Sequence, residues 1–324
     1  MKTTFRTAYG PPDVISVRDV PRPEPRGDEV LVRVHAATVN RTDCAALWGK
    51  PYVFRFFVGW PRPRVVATGT DFAGEVVAIG PDVSRFAVGD RIMGFNDNNL
   101  GSHAEYLCLS TRNAIVAIPE AVSFETAAAS MEGAHYAINF INKVPLKAGD
   151  KVLVNGATGA IGSAAVALLA DMGVDVTAAC PAPYHETVAA LGAARLIDSG
   201  GESLAAQCAP HSFDFVFDAV GKSTFGACRP LLREHGVYIS SELGPGGQNP
   251  VLALCAPFMR GPKVKFPVPL DIPGSLATVS QLLARGAYRP LIDRRYALED
   301  IREAFAYVAS GRKIGNVLMI PTAR

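Results

Sequence analysis

The stretch Lys151-Val-Leu-Val-Asn-Gly-Ala-Thr-Gly-Ala-Ile-Gly162 constrains this chain more than any other. Val152–Val154 is short and apolar, as a strand buried on both faces must be. Gly156, Gly159 and Gly162 follow at once. Ser163–Met172 then has good helix propensity, Gly173 can stop it, and Val174–Ala179 reads as a second strand. This is one strand–helix–strand half-unit of a dinucleotide-binding fold. Ala157-Thr-Gly159-Ala-Ile-Gly162 matches G-x-G-x-x-G with alanine in the first position, and its place between strand and helix is the context the motif requires. A pyrophosphate would then meet the helix N-terminus, facing the backbone N–H groups of Ala160 and Ile161, with Gly156 and Thr158 in the same turn. Without a ligand the stretch is a glycine-tight turn of a parallel α/β unit.

A chain of 324 residues suggests about two domains, and 49% hydrophobic with 19% charged residues suits a soluble protein with a sizeable core. A net charge of +2 offers no footprint for nucleic acid. No apolar run is long enough to span a membrane, and the N-terminus lacks a signal-peptide apolar region. The six cysteines form no C-x-x-C pair, and the simplest compartment is a reducing, cytoplasmic one.

Residues 1–120 hold short Val- and Gly-rich bursts bounded by turn residues, such as Glu29–His35, Gly74–Gly80, Asp90–Gly94 and His103–Leu109. They predict a β-rich domain, a partly closed barrel. Ser123 caps a helix through Ser130, Glu132-Gly133 interrupts it, and His135–Lys143 restarts it. Strands Arg195–Asp198, Phe213–Asp218 and Gly236–Ser240 alternate with helices, one of them running from Gly221 to about Arg233, which implies a parallel sheet over 121–260. In the segment 261–324, Lys263–Val268 is a β-like run, Gly274–Arg285 a helix, and Val317–Ile320 a last strand. A helix over Glu299–Ser310 carries Ile301, Ala304, Phe305 and Val308 on one stripe. This segment is expected to return to the first domain, with a cleft between domains as the natural site.

These residues carry a family likeness. Tyr9–Val14, Val39–Asp43, Gly69–Glu75, Val83–Asp90, Gly101–Tyr106, the glycine loop, Leu191–Ala193, Phe217–Gly221 and Gly236–Ser240 occur in order along the whole chain. Together they resemble the zinc-free quinone oxidoreductase-like branch of the medium-chain dehydrogenase/reductase superfamily. The resemblance implies an α/β fold: a Rossmann-type doubly wound parallel sheet plus an N-terminal GroES-like β-barrel domain. Zinc members of that superfamily place Cys, His and Glu where Asn40, Thr70 and Asp71 stand, so no zinc is expected. Cys44 with His103 or His135 is the alternative metal reading.

The resemblance also implies an activity, transfer of hydride from NAD(P)H to a quinone or an α,β-unsaturated carbonyl. The protein must then position the partners and stabilise the developing oxyanion. The family counterpart of Asn40 lies near nicotinamide and substrate, so Asn40 is the first catalytic and cofactor-contacting candidate; capping a turn is its structural alternative. His135 stands where relatives carry threonine, and is either an oxyanion donor or a packed helix histidine. Tyr52 belongs to the aromatic loop of Trp48, Phe54, Phe56, Phe57 and Trp60, which lines an apolar substrate cleft or packs in a core or dimer contact.

NAD enzymes hold the ribose with an acid at the end of the second strand. Here that strand ends Ala178-Ala-Cys180, without one, so NADP(H) is favoured over NAD(H). The usual basic phosphate ligand is missing: Cys180, Tyr184, His185 and Ser199 occupy its neighbourhood. Val220, Gly221, Ser240 and Ser241, at carboxyl ends of strands, are expected to border the cofactor, and Asn316 stands where relatives have lysine. The implied partners are a small apolar carbonyl or quinone and a second copy in a homodimer. A zinc-free alcohol dehydrogenase-like enzyme and a cofactor-binding protein without turnover are the competing readings.

Overall fold

The computed structural model describes residues 1–50, 52, 55–96 and 100–321, leaving aside the side chains of 57 and 58. In chain order the elements are β1 (Lys2–Phe5), β2 (Ser16–Asp19), β3 (Glu29–Val39), α1 (Arg41–Trp48), α2 (Arg55–Val58), β4 (Asp71–Ile79), β5 (Arg91–Phe95), β6 (Tyr106–Ser110), β7 (Ile115–Ala117) and α3 (Phe124–Ala129). Then come α4 (Glu132–Ile141), β8 (Lys151–Asn155), α5 (Ala160–Asp171), β9 (Asp175–Cys180), α6 (His185–Ala189), β10 (Arg195–Asp198), α7 (Leu204–Gln207), β11 (Phe213–Asp218), α8 (Phe225–Cys228), β12 (Leu232–Ser240), α9 (Gln248–Cys255) and β13 (Lys263–Lys265). The chain ends with α10 (Ile272–Ala284), β14 (Ile292–Ala297), α11 (Ile301–Ala309) and β15 (Asn316–Ile320). Two compact units result: Met1–Glu132 with Asp271–Arg324, and Gly133–Leu270.

In the first unit a seven-stranded sheet runs β14-β15-β3-β4-β5-β7, with β6 also on β3. Strand β3 organises it. Along its eleven residues it pairs antiparallel with β6, β4 and, near its end, β15. Register shifts at Leu31/Val32 and Val34/Ala36 mark irregularities of the kind that bend a sheet around a core. Val30, Val32 and Val34 point into that core with Phe72, Ile92 and the α11 stripe of Ile301, Ala304, Phe305 and Val308, all fully or almost fully buried. The last strand thus completes the first sheet.

In the second unit six parallel strands take the order β10-β9-β8-β11-β12-β13. Strand order reverses between β8 and β11, the switch point at whose carboxyl edge such sheets bind ligands. Both strands are deeply buried there, and Val152, Val154, Val216 and Phe217 are wholly inaccessible.

Two local expectations are corrected. The interruption between α3 and α4 falls at Ser130-Met131, not at Glu132-Gly133. The Ser130 hydroxyl donates back to the Thr126 carbonyl at 2.6 Å and its N–H goes to Ala127, which closes α3. Gly133 sits inside α4 for another reason: a Cβ there would lie 2.5 Å from the Ala160 carbonyl oxygen. The helix after Gly221 also stops early, at Cys228 rather than near Arg233. Pro230 has no N–H to continue it, and the chain tightens through Arg229–Leu231 into β12. Among the described residues no helix is long and apolar enough to cross a membrane.

Candidate active site

Asn40 is the residue that turns β3 into α1. Its Oδ1 accepts from the Asp43 N–H at 2.9 Å while the Asp43 carboxylate accepts from the Asn40 N–H at 3.0 Å, a reciprocal capping box. Its Nδ2 donates to the hydroxyls of Thr38 (3.3 Å) and Thr70 (3.2 Å). Both amide donors are therefore engaged in a side chain that is 1% exposed. To stabilise an oxyanion Asn40 would have to release one of them. The geometry makes it a positioning residue that holds two hydroxyls and a helix N-terminus. Asn40→Ala is expected to cost about 2 kcal/mol in a denaturant melt, from the lost cap and the orphaned partners. A large fall in kcat with unchanged stability would contradict this role.

The cluster continues through Asp71, which accepts from the Thr38 N–H at 2.6 Å and from the Thr38 hydroxyl. Burial pushes its pKa up to about 8. Asp43 is raised as well, first by burial and then by the neighbouring charges of Asp71 and Glu132. His103 is held neutral. Its Nε2 donates to the Thr38 carbonyl and its Nδ1 accepts from the Thr68 hydroxyl, both at 2.8 Å, and burial lowers its pKa to about 4. Tyr52 lies apart from this cluster on the exposed surface, under the Arg55 guanidinium at 4.9 Å. Phe56 and Trp60 are exposed and stacked, while Trp48 packs against the core. Phe54 and the Phe57 side chain lie outside the described residues. Asn316 is buried, and its amide donates to the Leu291 carbonyl at 3.0 Å.

In the second unit the glycine turn closes on itself. A Cβ at Gly162 would stand 2.1 Å from the Gly156 carbonyl oxygen, and one at Gly156 would stand 2.6 Å from the Val220 Cβ. The N–H groups of Gly156 and Ala157 both reach the Ala179 carbonyl, which ties the turn to the end of β9. Gly159, the N-cap of the twelve-residue α5, differs. A Cβ there would meet only the Gly156 oxygen, at 3.5 Å, so the helix opens on free space beside Gly159. No side chain caps this helix, so its N-terminal N–H groups offer an anion site. Thr158 is half-buried in the same turn.

The carboxyl edge of β11 is organised by Asp218, which the sequence reading passed over although it ends the strand. Its carboxylate receives the Asn155 amide (3.0 Å), the Tyr238 hydroxyl (2.8 Å) and the Gly221 N–H (3.1 Å). It thereby fixes the ends of β8, β11 and β12 and the Val220-Gly221 turn. Burial raises its pKa against these bonds. The Ser240 hydroxyl accepts from the Glu242 N–H, and the Ser241 N–H donates to the Asp218 carbonyl. The Glu242 side chain covers Gly221, where a Cβ would lie 2.3 Å from its Cγ. His135 is a fully buried residue of α4, its ring 3.5 Å from the Asn139 amide and edge-on to Tyr136.

Cys180 is buried, and its carbonyl accepts from the Ser199 N–H at 3.1 Å and from His185 Nε2 at 3.2 Å. Tyr184 is half-buried and Ser199 exposed. Beside them stands an acid that the sequence reading did not count. Asp198 ends β10 and is the register partner of Cys180. Its Oδ1 accepts from Ala182 N–H (3.2 Å) and Gly200 N–H (2.9 Å). The premise that the second strand ends without an acid holds for its own residues only.

Residues 26–120 match the alcohol dehydrogenase GroES-like domain, and residues 191–319 the family described as zinc-binding dehydrogenase. A quinone oxidoreductase of Pseudomonas aeruginosa is 28% identical over 97% of this chain and 98% of its own length. A 2-methylene-furan-3-one reductase of Solanum lycopersicum is 28% identical over 99% of this chain and 79% of its own. Among solved structures, the quinone oxidoreductase from Coxiella burnetii superposes with a TM-score of 0.84 at 26% identity, over 100% of this chain and 99% of that one. The Escherichia coli quinone oxidoreductase complexed with NADPH shares the fold, with a TM-score of 0.83 at 20% identity, over 99% of this chain and 100% of that one.

The residues present do not suit a zinc ion. Zinc asks for three or four thiolate, imidazole or carboxylate ligands. Asn40 and Thr70 offer an amide and a hydroxyl already bonded to each other. Both ring nitrogens of His103 are used, and burial pushes the Cys44 thiol up to about 12, so it stays protonated.

Proposed function

The chain belongs to the quinone oxidoreductase-like branch of the medium-chain dehydrogenase/reductase superfamily, and from that we propose that it reduces a quinone or an α,β-unsaturated carbonyl. It is an NAD(P)H-dependent oxidoreductase. The observation that carries the proposal is the glycine turn at the switch point, closed by the Val220 side chain at Gly156 and by backbone at Gly162, and open at Gly159. That geometry suits a pyrophosphate at the N-terminus of α5. When bound, a reduced nicotinamide supplies the hydride.

The chain's own residues bind and orient. Gly159 allows close approach, and the N–H groups of Ala160 and Ile161 receive negative charge. Asp218 holds Val220-Gly221, and Ser240 and Ser241 border the same edge. Asn40 keeps the Thr38 and Thr70 hydroxyls oriented. No described acid stands out as indispensable, and protonation of the reduced acceptor by water is compatible with this set. The relatives support the acceptor class: their names include quinone oxidoreductases, a furanone reductase and trans-enoyl reductases. NADP(H) is the cofactor suggested by the sequence, and two fold neighbours are described as holding NADPH.

The test is direct. The purified protein is mixed with NADPH or NADH, and the absorbance of the reduced nicotinamide is followed with a quinone, an enone and an aldehyde in turn. Oxidation with a quinone or enone is the expected result. Turnover of the aldehyde alone would favour an alcohol dehydrogenase-like enzyme, and binding without turnover of any acceptor would overturn the proposal.

A further inference from the structure

We propose that Asp198 makes this protein select NADH over NADPH, as acceptor for the adenosine ribose hydroxyls. The inference rests on the dinucleotide reading above and reverses the preference drawn from sequence. In a doubly wound fold the ribose hydroxyls lie at the carboxyl end of the second strand, about twenty residues beyond the glycine turn, where an acid accepts them. Here that place is the end of β9 at Cys180. The strand supplies no acid of its own, but β10 runs parallel beside it and brings Asp198 level with Cys180.

Two N–H groups hold the carboxylate, and a side chain holds the backbone that carries it. Oδ1 takes the Ala182 N–H from the turn after β9 and the Gly200 N–H from the turn after β10. The Asp198 backbone is clamped by the side chain of Gln207, whose Oε1 accepts its N–H (3.1 Å) and whose Nε2 donates to its carbonyl (2.8 Å). Oδ2 takes no hydrogen bond from any described residue. A vicinal diol can donate to it in a charge-assisted bond. A 2′-phosphate in the same place brings like charge against like charge.

The segment that leads from β9 to β10 supplies no lysine or arginine to offset that repulsion: none occurs from Cys180 to Ala194. Arg195 begins β10, at the opposite end of the strand, and donates to the Gln207 carbonyl. His185, the one basic substitute, has Nε2 against the Cys180 carbonyl. Asp198 thus does from the neighbouring strand what an acid on β9 itself would do.

Dissociation constants for NADH and NADPH, read from the fluorescence of the bound dinucleotide and from calorimetry, test this without turnover. The wild-type chain is expected to bind NADH at least about tenfold more tightly. Asp198→Asn keeps an acceptor for the Ala182 and Gly200 N–H groups and removes the charge. It is expected to tighten NADPH by about tenfold while NADH weakens only a few-fold. Ser199→Arg, at an exposed position, is expected to shift preference toward NADPH with Asp198 in place. Wild-type binding of NADPH equal to or tighter than NADH overturns the inference. So does an Asp198→Asn protein, shown folded by its circular dichroism, that moves both affinities alike. Failure of either dinucleotide to bind would instead remove the dinucleotide reading itself.

Discussion

Gly162→Ala is expected to lower stability by about 3 kcal/mol and, with it, to abolish dinucleotide binding. Two effects oppose each other at this position. Alanine in a helix is favoured over glycine by about 1 kcal/mol. Against that gain, the new Cβ would lie 2.1 Å from the Gly156 carbonyl oxygen and 2.9 Å from the Ala157 Cα. Both obstacles are backbone, so no side chain can swing aside, and the whole turn from Gly156 must move. The steric term wins. Gly159→Ala separates binding from folding. Its φ of −71° suits alanine, and its Cβ has ordinary contact with one atom only. Thermal stability is expected to stay within about 0.5 kcal/mol. The methyl group nevertheless occupies the space a pyrophosphate needs, and NADH and NADPH affinity are expected to fall about tenfold or more. Circular dichroism melts and dinucleotide titrations on both variants check the pair. Unchanged affinity in Gly159→Ala would place the dinucleotide elsewhere.

Sequence carries local instructions well and register poorly, and the site shows both. The glycine turn was legible because strand, turn and helix are contiguous, and Gly162 answers a steric demand from backbone a few residues away. The Ser123 cap was legible for the same reason, and the Thr126 N–H does reach its hydroxyl. The α11 stripe was legible because one face of one helix meets one core. Asp198 was not. Its place beside Cys180 depends on how β10 aligns with β9, and no spacing within either strand encodes that. The saturation of Asn40 was hidden likewise. Its partner Thr70 is thirty positions away, just before the strand that pairs with β3. Likeness to a family says nothing of whether the Asn40 amide donors are free, and here both are engaged. Burial of Asp71 could be suspected from its apolar strand, yet its accepted bonds from Thr38 follow only from the β3–β4 pairing.

That buried acid sets the second large effect, a fall in stability with rising pH. Asp71 is wholly inaccessible, and burial raises its pKa from the ordinary 3.8 to about 8 in the folded chain. Below about pH 4 the carboxyl is protonated in both states and contributes no pH dependence. Between about pH 4 and 8 the folded state holds a proton that the unfolded state has released, so stability declines as pH rises. Above about pH 8 the folded state carries the charge, and the full penalty, on the order of 5 kcal/mol, is in place. His103 works the other way over a lower range. Its folded pKa of about 4 lies below its ordinary 6.5, so its contribution rises with pH up to about 6.5 and is flat beyond. The two slopes oppose each other in mild acid; above pH 6.5 the Asp71 slope persists, and Asp43, raised by the same burial, adds to it in the same direction. Asp71→Asn is nearly isosteric. Its Oδ1 can accept the Thr38 N–H and its Nδ2 can donate to the Thr38 hydroxyl oxygen, so the pairing with Thr38 survives without a titrating proton. Denaturant melts from pH 6 to 9 should show a declining wild type and a flatter Asp71→Asn, with the variant the more stable by several kcal/mol at pH 9. Parallel profiles for the two proteins would mean that Asp71 is ionised in the folded state throughout, and that the Thr38 bonds outweigh its burial.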